Sequence, residues 1–413
     1  LLSDNLLHTD SVIRKMVSDI DEENWKEVEI VGWLYQFYIS EKKDEVIGKS
    51  VKSEDIPAAT QLFTPNWIVK YMVQNSLGRL WLETNLTSGL KAKVPMEFYI
   101  EPAADNPKIE RDPLSPEEIT VLDPACGSGH ILVEAYDVLK AIYTERGYSS
   151  RDIPRLILEN NLFGVDIDER AAQLSNFALL MKARADDPKI FEQQAFPNIL
   201  TVPNSSTLEY KASDIAEMFL HGSTNIDPIS IPIRNSNYLF DEMQTQPSLA
   251  ISGSPPYEGG VAASLGGRGS SLSVTETNIT DLLDLFAQGK TLGSLIRIPD
   301  GFEKAIDRLE ASIAAKFASS DMMEQIAARQ LVPFVRAAKM LARKYDCVIA
   351  NPPYMGARNG MNVPLKAFAG KHFPDSRSDL FAMFIERNFE LLKRQGYNAM
   401  VTMQSWMFLS SYE

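Results

Sequence analysis

The chain has 413 residues, of which 45% are hydrophobic and 23% charged, a composition typical of a globular protein with one elaborated domain or two to three smaller ones. It contains no apolar run of about eighteen residues or more and no basic N-terminal segment followed by an apolar core, so we predict neither a membrane span nor a secretory signal. With Lys+Arg 41 and Asp+Glu 55 the net charge is −14, which is unusual for a protein that binds nucleic acid by itself.

Residues 1–55 are predicted to form an N-terminal helical region. Apolar side chains recur at helical spacing at its start, and a second amphipathic run extends from Trp25 to Ile39. A further helix is predicted from Asn66 to Leu82, because Thr64 is a suitable N-cap and Pro65 is favoured at the first helical position.

Residues 56–210 alternate between strand and helix patterns, which indicates a parallel sheet covered by helices. A glycine-rich turn joins the first strand to its helix, and the second strand ends on an acidic residue, as in one crossover of a doubly wound sheet. The predicted elements are a strand at Ile119–Asp123, a helix at His130–Arg146, a strand at Asn161–Asp166, a helix at Glu169–Ala185 and a strand at Ile199–Val202.

Residues 211–340 break this alternation, and we interpret them as an insertion between two strands of the sheet. They contain a Gly/Ser-rich stretch and two helical segments, Thr280–Phe286 and Gly301–Arg343, and they show no catalytic pattern. Residues 341–413 return to the α/β pattern, with a buried strand that ends at Ala350, a helix at Asp379–Lys393 and a strand at Tyr397–Met403.

The strand that ends at Ala350 runs directly into Asn351-Pro352-Pro353-Tyr354. The two prolines fix the backbone and remove two N–H donors, so the side-chain oxygen of Asn351 and the carbonyl oxygen of Pro352 are left as adjacent acceptors. Tyr354 adds a flat aromatic ring beside them. Two acceptors next to a stacking ring suit the exocyclic amino group of a planar base, and open α/β sheets bind ligands beyond the carboxyl ends of their strands.

Two further patterns lie at the ends of predicted strands. Residues Asp123–Gly129 read Asp-Pro-Ala-Cys-Gly-Ser-Gly, a strand-to-helix turn whose glycines allow a ligand to approach the backbone closely. The turn differs from the dinucleotide-binding pattern, because Leu132 occupies the position of the third glycine. Asp166 ends the second strand, where a carboxylate can accept hydrogen bonds from both hydroxyls of a ribose. Asp168 is predicted to face solvent or to cap the following helix.

These motifs resemble those of the gamma-class DNA methyltransferases that modify N6 of adenine. The resemblance extends to their order, since Phe63-Thr64-Pro65 comes first, the glycine turn second and Asn-Pro-Pro-Tyr third. It implies an α/β, Rossmann-like, S-adenosylmethionine-dependent methyltransferase fold with N-terminal helices and a helical and loop insertion. The family often places an acid after the third strand to hold the adenine of the cofactor, and Asn204 is the candidate here. The other residues that the resemblance assigns to the cofactor are Phe63, Thr64, Pro65, Asp123, Pro124, Ala125, Cys126, Gly127, Gly129, Asp166 and Ile167.

The same resemblance implies that the substrate is double-stranded DNA with the target adenine flipped out, because its amino group is otherwise paired and buried in the stack. Tyr354 would stack on the flipped base, and Asn351 and Pro352 would accept both amino hydrogens so that the nitrogen lone pair attacks the methyl group. We expect neither a cysteine nucleophile nor a metal site. Cys126 and Cys347 are predicted to be buried, reduced residues of a cytoplasmic protein.

Two shorter stretches, Pro57–Pro65 and Asn75–Trp81, resemble more particularly the PglX family, the adenine methyltransferases of BREX-type bacterial phage-defence systems. This implies that other defence-system proteins are partners. The chain starts at Leu1 without methionine and stops at Glu413 without a closing turn, so we expect a fragment whose target-recognition region lies elsewhere. A DNA-binding surface outside the chain, or a local basic strip within it, would explain the acidic balance.

Alternatives to this interpretation remain open. The methyltransferase part of a restriction–modification fusion enzyme is disfavoured, because Lys49 and Glu54 do not form a convincing nuclease pattern. A non-catalytic DNA-binding or partner-binding subunit on this fold is disfavoured because the motif residues are intact. Methylation of a small molecule or a protein would be separated by identifying the acceptor. Ser254-Pro255-Pro256-Tyr257 is a second form of the catalytic motif, but it follows a poor strand, and we place the site at Asn351.

Overall fold

The computed structural model describes residues 11–19, 21, 29–46, 51–103, 111–222, 274–358 and 360–408. Their centre is a parallel five-stranded sheet with the strand order β3-β2-β1-β4-β5. The central strands consist almost entirely of buried residues, as expected for a parallel sheet that is covered on both faces. The predicted Rossmann-like α/β fold is confirmed. The strands are β1 (Val121–Asp123), β2 (Leu162–Asp166), β3 (Asn198–Thr201), β4 (Tyr345–Ala350) and β5 (Leu392–Met400).

The helices cover both faces of this sheet. The predicted helix that follows the glycine turn begins directly after Gly129, whose φ of 86° a side chain would rarely tolerate. In chain order the described helices are α1 (Val12–Asp19), α2 (Glu29–Val46), α3 (Ile56–Thr60), α4 (Asn66–Val73), α5 (Arg79–Thr84), α6 (Leu90–Lys93), α7 (His130–Glu145), α8 (Ile153–Leu156), α9 (Glu169–Asp186), α10 (Ala212–His221), α11 (Glu276–Leu285), α12 (Gly289–Leu292), α13 (Glu303–Phe317), α14 (Met322–Ala342), α15 (Val363–His372) and α16 (Leu380–Leu391).

Successive residues of the central strands pack into two separate apolar layers, because side chains alternate between the faces of a sheet. One layer contains Val121 and Cys347 together with residues of α4, α5, α7 and α9. The other contains Leu122 and Val348 together with residues of α10, α11 and α13 to α16. The inserted helices therefore supply most of one face of the fold. Both cysteines are buried and free, as predicted.

Several predicted boundaries need correction. The segment Gly301–Arg343 is not one helix, because it divides into α13 and α14, and the side chain of Asp321 caps the second of these. The last strand begins at Leu392 and ends at Met400 rather than extending from Tyr397 to Met403. The second Pro-Pro-Tyr motif at 254–257 and Lys49 both lie outside the described residues. Within the described ranges, no helix combines the length and the apolar character that crossing a membrane requires.

Candidate active site

Three adjacent strands, β2, β1 and β4, end at one edge of the sheet and bring the predicted motifs together. A cavity with about 930 Å³ of empty space, partly open to solvent, lies at this edge. Five of the predicted residues lie outside the cavity lining, namely Pro65, Gly129, Asn204, Pro352 and Tyr354. The predicted residues that line it are Phe63, Thr64, Asp123, Pro124, Ala125, Cys126, Gly127, Asp166, Ile167, Asn351 and Pro353.

The glycine turn forms the floor of the cavity and is tied to the end of β2. The backbone N–H of Cys126 donates to the carbonyl oxygen of Val165 at 3.0 Å, and that of Gly127 donates to Oδ2 of Asp166 at 2.8 Å. Gly127 has a φ of 51° and so needs the freedom of glycine. A Cβ on Gly129 would lie only 2.4 Å from the Ser175 hydroxyl oxygen, so this turn also packs closely on α9.

Two carboxyl groups face this floor, of which Asp123 is buried and Asp166 is half-buried. Burial raises the pKa of Asp123 to about 8, and the charge of Asp166 adds to the shift while the Ala125 N–H opposes it. Burial also raises the pKa of Asp166, against the opposing effect of N–H donors that include Asp168 and Gly127. A positively charged ligand would favour the ionised form of both groups. The carboxyl pair thus fits a cofactor with a sulfonium and an ammonium group, such as S-adenosylmethionine.

The role of Asp168 agrees with the prediction, because its Oδ1 accepts from the Arg170 N–H at 3.0 Å and caps α9. The N-terminal helix α2 also reaches this region. The Tyr35 hydroxyl donates to the Asp168 carboxylate, and a Cβ on Gly32 would lie 2.7 Å from both the Phe63 ring and the Ser128 hydroxyl. α2 therefore packs directly against the segments that line the cavity.

Residues from the insertion form one wall of the cavity, and sequence reasoning missed them. Thr291, Leu292, Gly293, Ser294 and Leu295 all line it. The Ser294 hydroxyl donates to the carbonyl oxygen of Pro124 at 2.6 Å, and Lys290 Nζ donates to that of Ile167 at 2.9 Å. The sequence marks this segment only by two glycines, Gly289 and Gly293, which indicate a turn. Gly293 has a φ of 54°.

The catalytic motif is held by a hydrogen-bond network that fixes the orientation of the Asn351 amide. Its Nδ2 donates to the Thr64 hydroxyl at 2.9 Å and to the carbonyl oxygen of Leu62 at 3.3 Å. Its Oδ1 is left as an acceptor, next to the Tyr354 hydroxyl at 3.2 Å. The Tyr354 hydroxyl also donates to the carbonyl oxygen of Val401 at 2.8 Å, and burial raises its pKa to about 12, so it stays protonated.

Tyr354 lines a second, more open depression, which shares Thr60 and Leu62 with the cavity. This depression is lined by Lys43, Ala59, Thr60, Leu62, Tyr354, Thr402 and Met403. The Tyr354 ring centroid is 5.9 Å from that of Phe381 at the start of α16, which supports one side of the ring. The other groups around the depression come from α2, from α3 and Leu62, and from the chain that follows β5.

Asn204 is placed apart from the other predicted site residues. The segment that contains it is bound to α11 and the turn after it, since the Ser205 N–H donates to the carbonyl oxygen of Phe286 at 3.0 Å. The Ser205 hydroxyl also donates to that of Leu283 at 2.6 Å. The structure thus does not bring Asn204 to the cavity, and its assignment to the cofactor stays a prediction.

The contact between Thr64 and Asn351 leads to a first prediction. Thr64→Val keeps the side-chain volume but removes the hydroxyl, so the Asn351 amide nitrogen keeps only the Leu62 carbonyl oxygen, at 3.3 Å, as its partner. We expect a roughly tenfold to thirtyfold slower methyl transfer, equivalent to about 1.4 to 2 kcal/mol, with S-adenosylmethionine binding nearly unchanged. Single-turnover rates and calorimetry would test this, with Thr64→Ser as the matched control that keeps the hydroxyl. A Thr64→Val protein as fast as the wild type would contradict it.

Comparisons with known proteins agree with this geometry. The family model described as "Eco57I restriction-modification methylase" matches residues 160–413. A protein of Escherichia coli O9:H4 (strain HS) named "Adenine-specific methyltransferase BrxX" is 52% identical over 421 residues, which cover 100% of this chain and 32% of that relative. One of Lacticaseibacillus casei (strain Zhang) named "Adenine-specific methyltransferase PglX" is 38% identical over 425 residues, which cover 98% of this chain and 31% of that relative.

The chain thus spans about a third of the length of the curated relatives that it matches. The family match covers more than half of the chain and includes β2 to β5, the wall at Thr291–Leu295 and the Asn-Pro-Pro-Tyr motif. The chain therefore belongs to the Eco57I restriction-modification methylase family.

Proposed function

We propose that this chain carries the catalytic domain of a site-specific DNA methyltransferase that transfers a methyl group from S-adenosylmethionine to N6 of adenine in double-stranded DNA. The observation that carries the proposal is that Asn351 lines the same cavity as Asp123, Gly127 and Asp166. The Asn351 amide, which can accept amino hydrogens, therefore lines a cavity that suits a cationic, ribose-containing cofactor. The names of the two relatives support adenine as the target.

The cavity residues have distinct roles toward the cofactor, which supplies an electrophilic methyl group. Each oxygen of Asp166 already accepts one backbone N–H, and its remaining lone pairs are available to ribose hydroxyls. Ile167 offers an apolar surface for the adenine ring. Asp123 and the glycine turn would hold the positively charged part, and Phe63 and Thr64 also line the cavity.

The catalytic motif acts on the target base. Asn351 Oδ1 and the Pro352 carbonyl oxygen accept the two amino hydrogens, which localises the nitrogen lone pair that is otherwise delocalised into the ring. Tyr354 stacks on the flipped adenine, and Pro353 stiffens the backbone between the two groups. Because no covalent intermediate on the protein is required, positioning supplies most of the rate.

We further infer that the enzyme modifies DNA within a bacterial phage-defence system of BREX type, with other defence proteins as partners and the cytoplasm as its location. The support is the resemblance of residues 57–65 and 75–81 to the PglX family, together with a relative that carries that name. A role in restriction–modification is the second candidate, which the description of the matched family favours. Deleting the enzyme from its host would separate the two roles. Loss of both host DNA methylation and phage resistance, without cleavage of DNA, would favour the phage-defence role.

The cofactor site is tested by titrating the chain with S-adenosylmethionine in a calorimeter. Asp166→Ala should weaken binding at least about tenfold, because it removes the acceptors for two ribose hydroxyls. Asp284→Ala, an exposed carboxylate on α11, is the matched control and should bind as the wild type does. Equal binding by the wild type and Asp166→Ala would remove Asp166 from the cofactor site.

The acceptor is tested separately with radioactive S-adenosylmethionine and duplex DNA of mixed sequence. We expect label in DNA, and digestion to nucleosides should place it in N6-methyldeoxyadenosine. Label in cytosine, in protein or in a small molecule would contradict the proposed function. A folded chain that binds the cofactor but labels no acceptor would favour the non-catalytic alternative.

A further inference from the structure

The loop that follows the catalytic motif is basic, although the protein carries a net charge of −14. We refer to residues 356–378 as the basic loop. Its only acidic residue is Asp375, and its net charge is +3 with histidine neutral. The four basic side chains are exposed, and none is paired with a carboxylate in the portion of the chain that the structure describes: they are Arg358, Lys366, Lys371 and Arg377.

Two of these residues flank the neck of the basic loop, one on each side. An antiparallel bridge joins Gly356 to Asp379, and the next residues on each side are joined by an N–H···O bond of 2.9 Å. Arg358 follows this neck in the chain and Arg377 precedes it, so both arginines are tethered within two residues of the bridge. Like charges that are held near each other repel, and an anion bound between them removes this repulsion.

The other two basic residues face solvent because the opposite side of the basic loop is anchored in the core. Leu365 and Ala369 are buried at helical spacing in α15, and Met361 and Phe373, which flank this helix, are buried as well. The side chain of Asn362 caps this helix by accepting the Leu365 N–H at 3.0 Å. Lys366 and Lys371 lie between the buried positions and remain exposed. The basic groups are thus displayed on a fixed surface.

The basic loop is also fixed close to the catalytic tyrosine. The Met355 N–H donates to Oδ1 of Asp379 at 3.0 Å, and the carbonyl oxygen of Met355 accepts the Leu380 N–H at 3.2 Å. Arg358 is four residues beyond Tyr354, so their Cα atoms are at most roughly 14 Å apart. The phosphates that flank a flipped nucleotide lie within this range of its base, since phosphates along one strand are only a few ångströms apart.

We propose that the basic loop binds the phosphates of duplex DNA next to the flipped adenine, with Arg358 and Arg377 as the central pair. This inference rests on the proposed function, because it identifies the surface that presents DNA to the same site. Arginine suits the role, since its planar fork can bind phosphate oxygens in a bidentate manner. The basic loop is the local basic strip that an acidic DNA-binding chain requires.

The test measures binding of a fluorescent DNA duplex to the full 413-residue chain by anisotropy, at salt concentrations from about 50 to 200 mM. The variant carries Arg358→Gln and Arg377→Gln. The matched control carries Arg151→Gln and Arg394→Gln, two exposed arginines outside the basic loop, of which Arg151 precedes α8 and Arg394 lies near the start of β5. We expect the variant to bind roughly tenfold more weakly and to lose about 1.8 from the slope of log affinity against log salt, since each phosphate contact contributes about 0.9.

S-adenosylmethionine binding by both double variants should match that of the wild type, which separates this surface from the cavity. A variant with wild-type affinity and salt slope would overturn the role of the basic loop, even if the wild type methylates DNA. A wild-type chain that fails to bind duplex at the lowest salt would also overturn it. A further outcome is that the variant binds DNA more weakly than a wild type that itself transfers no methyl group. That result would support the DNA-binding surface and reject the proposed function.

Discussion

Asn351→Ala is expected to slow methyl transfer to adenine by about a hundredfold to a thousandfold while S-adenosylmethionine binding changes by less than about twofold. In the mechanism that we propose, the amide oxygen of Asn351 is one of two acceptors that localise the lone pair of the adenine amino group. The substitution removes this acceptor and also the nitrogen that holds Thr64 and the Leu62 carbonyl. The loss should therefore appear in the chemical step rather than in cofactor affinity.

Single-turnover rates with saturating cofactor and DNA would measure this effect, and thermal unfolding would show that the variant is folded. Asn75→Ala provides a comparison, because Asn75 makes its hydrogen bonds at Tyr71, Phe98 and Ile100 in the N-terminal part of the chain. That variant should keep its rate per folded molecule. An Asn351→Ala protein that retains more than a tenth of the wild-type rate would remove Asn351 from the catalytic site.

Arg387→Met is expected to lower the free energy of unfolding by about 3 to 5 kcal/mol, the largest effect on stability that we anticipate. Arg387 is only 4% exposed, and its guanidinium donates to the carbonyl oxygens of Ser294, Ile296 and Leu341 at 2.9 to 3.0 Å. Methionine fills similar space but leaves these buried acceptors without a donor. Burial lowers the pKa of Arg387, and the ion pair with Glu390 opposes this shift.

The same substitution should weaken cofactor binding, because Ser294 belongs to the cavity wall that Arg387 holds. Urea unfolding and calorimetry would measure the two effects. Arg387→Lys should recover part of the stability, since an ammonium group can reach only some of the three carbonyl oxygens. Arg394→Met, at an exposed position, should change stability by less than about 0.5 kcal/mol. A loss below about 1 kcal/mol for Arg387→Met would contradict this account.

The parts of the site that could be predicted from the sequence are those that depend on the backbone preferences of residues adjacent in the chain. The glycine turn, the acid at Asp166 and the Pro-Pro pair each follow a strand, and parallel strands place their carboxyl ends at one edge of a sheet. The helix that starts at His130 was predictable to within one residue for the same reason. In the segment 301–343, Ser319 to Asp321 carried a capping signal that the prediction overlooked.

The rest of the site depends on contacts between residues far apart in the chain. Ser294 meets Pro124 across 170 positions, and Asn351 meets Thr64 across 287. No periodicity or motif in 289–295 distinguishes a cavity wall from an ordinary turn within an insertion. The position of Asn204 was likewise set by packing of its segment on α11. Such contacts follow from the packing of the insertion onto the sheet, which local patterns do not encode.

The hydrogen bond between Thr64 and Asn351 makes the two halves of the site thermodynamically dependent on each other. Thr64 lines the cavity that we propose for the cofactor, and Asn351 carries the oxygen that we propose as an acceptor for the base. A cofactor that shifts the Phe-Thr-Pro segment changes the orientation of the amide, and by linkage DNA must change cofactor affinity by the same factor. Under the proposed function, we therefore expect this amide to carry part of the free energy of coupling between cofactor and DNA.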